Sequence, residues 1–174
     1  ELTRITKAIE DGDFFSNEEF LTAIENCKKN KSKLHIMGLL SDGGVHSHMR
    51  HLMALLELAK RKGFEDVYVH CFLDGRDTPP ASADTYVAEL EDKMREKGIG
   101  KIASLCGRFY AMDRDKRWER VEKAYDAMTL GEGMHAVTGQ EAVTAAYERD
   151  ENDEFVLPTV VDGAIPVNDG DAMI

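Results

Sequence analysis

Between Leu34 and Gly131 the chain repeats one pattern three times: an apolar run, a polar loop, then a longer stretch with apolar residues at helical spacing that stops at a glycine. Leu34 to Leu40 breaks into Ser41-Asp42-Gly43-Gly44, and the helix beyond, with Ser47 as its expected cap, carries Leu52, Leu55, Leu56 and Ala59 before Gly63. Val67 to Leu73 leads through Asp74 to Ser82 into Ala83 to Lys97, with Val87, Leu90 and Met94 inward and Gly98 as the stop. Ile102 to Leu105 leads through Gly107 to Arg117 into Trp118 to Leu130, with Val121, Ala124, Tyr125 and Met128 inward and Gly131 as the stop. Successive strands joined through helices pair in parallel with right-handed crossovers. The expected fold is α/β: a mostly parallel sheet with helices on both faces, a three-layer sandwich.

The flanks add detail. Ile5, Ala8 and Ile9 suit a short opening helix that ends at Asp11-Gly12. Ser16 with Glu19 reads as a capping box and Phe15 with Phe20 as its hydrophobic staple, opening a helix with Phe20, Leu21, Ile24 and Cys27 on its inner side. Toward the carboxyl end, Thr138 to Arg149 reads as a helix and Phe155 to Val161 as a strand. Ile165 to Asp171 reads as a small hairpin-like excursion turning at Asn168-Asp169-Gly170, and Ala172-Met173-Ile174 as a strand beginning. At 174 residues, the whole chain, 1–174, is expected to be a single domain. Its opening on Glu1 and its stop within an apolar start suggest a piece of a longer chain.

Charge and cysteines narrow the function. Twenty-two Lys and Arg against 33 Asp and Glu leave a net charge of −11, which argues against nucleic acid or an anionic membrane as partner. Cys27, Cys71 and Cys106 are odd in number and contain no CxxC pair, as expected of reduced thiols in the cytoplasm. The amino terminus lacks a signal-peptide core, and no apolar run approaches the ~18 residues of a membrane span.

The three loops should open on one edge of the sheet, where functional groups of open α/β folds gather. The first holds Ser41, Asp42, His46 and His48; the second, DGRDTPPAS, holds Asp74, Arg76 and Asp77; the third, GRFYAMDRDKRWER, holds Arg108, Arg114 and Arg117. Arginine forks grip carboxylate or phosphate oxygens, so several of them in an acidic protein point to a small, multiply charged anion. Asp77 or His46 beside them could accept and return a proton. Simpler roles compete: turn-capping for Asp74, a solvated helix face for Arg117 and Arg120, and core packing or plain exposure for His35, His51, His70 and His135. A metal-dependent hydrolase built on Asp42, His46 and His48 is a further alternative, placed below proton transfer because no cysteine or HExxH pattern joins them. So is a stand-alone module that binds a phosphorylated metabolite.

Taken together, LLSDGGVHSH, FLDGRDTPP and GRFYAMDRDKRWER resemble the signature segments of the cofactor-independent phosphoglycerate mutases, in order and over most of the chain from about Ser16. The resemblance implies an enzyme that interconverts 3-phosphoglycerate and 2-phosphoglycerate through a phosphoserine, in two domains. A phosphatase-like domain carries the serine and two manganese ions, and an inserted transferase domain holds the glycerate. This chain resembles the transferase domain alone. By motif position, His46 corresponds to a substrate-binding histidine, Arg76 and Asp77 to the pair that contacts the glyceryl part, and Arg108 and Arg114 to anion-binding arginines, with Asp77 the residue for proton exchange. The nucleophile, the metal cluster and a later RxxR segment have no counterpart in these 174 residues. The expectations are therefore an inactive isolated fragment, monomeric, without a metal or cofactor of its own, and partnered in cis by the phosphatase-like domain.

Overall fold

The computed structural model describes residues 1–174. At its centre, β1 (Leu34–Leu39), β2 (Val67–Leu73) and β3 (Lys101–Gly107) run parallel and adjacent, linked by α3 (Met49–Arg61) and α4 (Ala83–Lys97). These are the three expected units. Three shorter strands extend the sheet: β4 (Met134–Ala136), β5 (Thr159–Val161) and β6 (Ala172–Met173), in the order β4-β5-β3-β2-β1-β6. Only the β3–β5 pairing is antiparallel.

Alternation along the strands sorts side chains to two faces. On one face Leu34, Ile36, Val67, Val69, Cys71, Leu73 and Leu105 form a continuous apolar core. They meet Ile24 and Cys27 of α2 (Glu18–Asn30), Leu56 and Ala59 of α3, Val87 and Leu90 of α4, and Val143 and Ala146 of α7 (Gly139–Glu148). Each large aliphatic side chain fully buried there contributes ~1.5–3 kcal/mol. α1 (Leu2–Asp11) packs outside, on α3, and buries none of its own residues.

The opposite face is polar at its centre. His35, His70 and Ser104 lie on neighbouring strands, all buried, in a row closed by Asp171. The short α5 (Arg108–Ala111) opens the loop after β3, and α6 (Trp118–Thr129) covers the β3 and β5 side through Ala124 and Ala127. Residues 162–171 then cross the remaining sheet as a strap from β5 to β6, tied by Val167 N–H to the Met128 carbonyl (2.9 Å) and by Asp171, which accepts from the Lys33 amide (2.8 Å). The excursion expected at Ile165 to Asp171 is this strap, turning at Asn168 to Asp171 without strand pairing of its own.

Several local expectations need correction. Asn17, not Ser16, caps α2: its side chain accepts from the Glu19 and Phe20 amides, while Ser16 closes a 3₁₀ turn and donates to the Asp13 carbonyl (3.0 Å). His48, not Ser47, caps α3, with Nδ1 accepting from the Arg50 amide; Ser47 instead donates to the Leu39 carbonyl and pulls the loop back onto β1. Tyr125 points out of the core at 59% exposure, because α6 approaches the sheet through its two alanines. β4 was unexpected, and the strand foreseen from Phe155 shortens to Thr159–Val161 because Asp153–Phe155 form a 3₁₀ turn.

Candidate functional site

Because β1, β2 and β3 are parallel, their following loops share the carboxyl edge of the sheet. There, His46, Arg76, Asp77, Arg108 and Arg114 line one crevice of about 460 Å³, with Phe109, Asp113, Arg120 and Glu154. All five residues expected from sequence thus meet. Larger hollows lie under α1 (about 740 Å³) and at the amino ends of the strands (about 570 Å³), but neither gathers arginines around a carboxylate.

Close packing of the loops fixes the crevice. Gly43 of the first loop rests on Asp77 of the second; a Cβ there would stand 2.9 Å from the Asp77 Cβ and 3.2 Å from its carbonyl oxygen. Gly107, at the end of β3, has the backbone of Asp153 and Glu154 against it, with no room for any side chain. That contact brings Glu154, which is distant in sequence, to the crevice wall, where its carboxylate lies 3.6 Å from Arg76.

The guanidiniums fall into two kinds. Arg108 is 10% exposed and held by two carboxylates: its Nη1 donates to Asp74 (2.7 Å) and to Asp77 (2.8 Å). Arg120, expected on a solvated face, instead turns inward, stacks over the Phe109 ring at 3.9 Å and pairs with Asp113, whose side chain is buried. Arg76 and Arg114 remain on the exposed side of the crevice: Arg76 has only the long contact to Glu154, and Arg114 makes no side-chain hydrogen bond or ion pair. An exposed pair of that kind is worth ~0–1 kcal/mol, so Arg76 is readily drawn to an incoming anion.

Asp77 is partly buried, accepts from Arg108 and stands 3.9 Å from His46 Nε2. Asp74 is the buried centre of the network, accepting from the Ser41 hydroxyl (2.7 Å), the Arg76 and Asp77 amides and Arg108. Burial alone would raise its carboxyl, but those hydrogen bonds outweigh burial and hold it below the usual carboxylate range. Burial likewise opposes the charge on Arg108, and the bonds to Asp77 and Asp74 more than restore it. Sequence reasoning placed Asp74 as a turn cap, which is half its role, and missed Asp113 and Glu154. Asp113 sat within the third motif; Glu154 left no signal beyond an acidic run.

The alternative metal trio does not assemble. The Asp42 carboxylate accepts from the Tyr86 hydroxyl (2.5 Å) and His48 Nδ1 caps α3, leaving His46 alone at the rim. No group of three or more His, Cys, Asp or Glu side chains is placed to hold a metal ion, so these residues do not fit the manganese that the resemblance implies elsewhere. The remaining histidines are accounted for locally: His35 and His70 are buried, His51 is half-buried against Thr6 (3.0 Å), and His135 is exposed.

Comparison with known proteins gives a consistent picture. The chain is 66% identical over 161 residues to the 2,3-bisphosphoglycerate-independent phosphoglycerate mutase of Acetivibrio thermocellus, covering 92% of this chain and 32% of that enzyme. It is 62% identical over 173 residues to the same enzyme of Lachnoclostridium phytofermentans, covering 99% of this chain and 33% of that one. A solved structure of Leishmania mexicana phosphoglycerate mutase, obtained at low cobalt concentration, superimposes with a TM-score of 0.91 at 33% identity, over 99% of this chain and 34% of that one. The chain thus spans about a third of the length of the relatives it matches. The family model described as BPG-independent PGAM N-terminus matches residues 5–174, and the chain belongs to that family.

Proposed function

We propose that this chain is the substrate-holding transferase domain of a phosphoglycerate mutase that interconverts 3-phosphoglycerate and 2-phosphoglycerate. The observation that carries the reading is the division of labour among the arginines: Arg114 is unpaired and Arg76 has only a long contact to Glu154 in the same crevice as His46 and Asp77, while Arg108 is held between two carboxylates. Guanidinium forks so weakly committed retain a glycerate by its carboxylate or phosphate oxygens. Held that way, its hydroxyls lie within reach of Asp77, which accepts a proton from one and returns it to the other as the molecule reorients. Such trapping replaces a bimolecular recapture by an intramolecular step, worth up to ~7–11 kcal/mol of barrier in well-oriented cases. The phosphoserine, the two manganese ions and the rest of the substrate shell belong to the other two-thirds of the protein, which docks in cis. Alone, the chain holds half a site and does not turn over substrate; it is monomeric and works in the cytoplasm, in keeping with three buried free thiols.

The test is made in the full-length enzyme that carries this domain. Asp77→Ala and Arg114→Ala each lower mutase turnover by ~10²-fold or more with fold and metal content unchanged. Wild-type turnover in either variant removes that residue from the site.

A further inference from the structure

The geometry points to Asp74 as a positioning residue for the proposed mutase step, acting through Asp77 and Arg108 and not on substrate. Its side chain is 1% exposed and outside the crevice lining, so it touches no ligand. Yet one carboxylate reaches all three loops. Oδ2 accepts from Ser41, at the root of the loop that bears His46; Oδ1 accepts from the Arg76 and Asp77 amides (3.2 and 2.9 Å), setting the backbone from which both side chains leave; and Oδ1 also accepts from Arg108.

The sharing of Arg108 gives the arrangement its functional consequence. One guanidinium nitrogen is divided between Asp74 at 2.7 Å and Asp77 at 2.8 Å. If Asp74 did not compete for it, the fork could turn fully onto Asp77 and form a bidentate pair, the geometry arginine and carboxylate prefer. Asp77 would then be occupied when the glycerate hydroxyl needs it. Asp74 thereby keeps Asp77 oriented but available. A purely structural turn cap would need the two amide bonds and neither the arginine nor Ser41.

This inference rests on the proposed mutase reading, and the experiment separates the two. In the full-length enzyme, Asp74→Asn keeps the shape and the amide acceptor but removes the charge that holds Arg108. The expected result is a kcat lowered by ~10²-fold with the KM for 3-phosphoglycerate within threefold of wild type, since misplacement of about an ångström carries that cost. Ser41→Ala, which leaves the charge and three of the four bonds, lowers kcat less than tenfold, again at unchanged KM. Wild-type kcat in Asp74→Asn, or a loss confined to KM, overturns the proposal. Should Asp74→Asn fail to fold, Ser41→Ala decides alone: wild-type kcat overturns the proposal, and a reduced kcat at constant KM supports it. An unmutated full-length enzyme without mutase activity refutes the functional reading itself and the positioning role with it.

Discussion

Acid should weaken this domain most through His70, with His35 and His51, also held below the ordinary histidine value chiefly by burial, acting in the same direction. The row of polar groups beneath the strap has a single consistent direction of hydrogen bonding. Asp171 offers only lone pairs, so His35 presents Nε2–H to it at 3.2 Å. His35 Nδ1 is then an acceptor and receives Nε2–H of His70 at 2.9 Å, and His70 Nδ1 accepts in turn from the Ser104 hydroxyl at 2.8 Å. Both rings are neutral in this arrangement. Burial, with a smaller contribution from His35, pushes His70 from its ordinary 6.5 down to about 4, so the unfolded chain binds a proton more readily than the folded one. Stability is therefore complete above pH 6.5 and falls between 6.5 and 4. At about 1.36 kcal/mol per pH unit, the loss from this group by pH 5 is ~2 kcal/mol. His35 and His51 add to the loss, while burial of Asp153 acts with the opposite sign, raising its carboxyl so that acid favours the folded state; these groups are present in both proteins of a pair differing only at His70. The assay is urea unfolding of wild type and His70→Gln at pH 7.5 and pH 5.0. The variant starts less stable, and its further loss on acidification is smaller than wild type's by ~2 kcal/mol. Equal losses in the two proteins, within the ~10–15% uncertainty of such extrapolations, would refute the reasoning.

Three further substitutions test the packing described above. Asn17→Ala should cost ~1 kcal/mol by urea denaturation and Ser16→Ala less than half of that; the reverse order would restore the capping box. Gly107→Ala, which drives a methyl group into the Glu154 backbone, should cost ~3 kcal/mol or more, beyond ordinary overpacking, with Tm falling by roughly 2–4 °C for each kcal/mol. Tyr86→Phe removes the exposed hydrogen bond from Tyr86 to Asp42 that tethers the first loop to α4. It should lower stability by no more than ~1 kcal/mol but speed amide exchange between residues 42 and 46.

The fold was legible where periodicity and glycine stops agreed. The three strand and helix units from Leu34 to Gly131 lie where the pattern put them, except that the third strand runs over Lys101–Gly107 and its loop opens with a helical turn at Arg108–Ala111, and parallel order alone sent the three loops to one edge. Local chemistry was read less well, because neighbouring residues competed for the same role: Asn17 beside Ser16, and His48 beside Ser47, which found a better partner in the Leu39 carbonyl. The five expected crevice residues were found through loop motifs, but their unequal engagement was not. Whether an arginine is held or free depends on partners such as Asp113 and on Glu154, which reaches the crevice only because Gly107 has no side chain. The His35, His70 and Ser104 row was likewise hidden, since it arises from strand register: His35 stands beside Tyr68, and His70 beside Ser104, on one face of the sheet.

On the proposed function, the crevice between the three loops takes a phosphoglycerate and this chain supplies only part of its grip. The most direct measurement is a titration of the isotope-labelled 174-residue chain with 3-phosphoglycerate, followed by NMR at the amides and guanidiniums. We expect shifts centred on His46, Arg76, Asp77 and Arg114, with a Kd above ~1 mM and no 2-phosphoglycerate formed. Shifts centred elsewhere, tight stoichiometric binding, or no response at saturating ligand would contradict it.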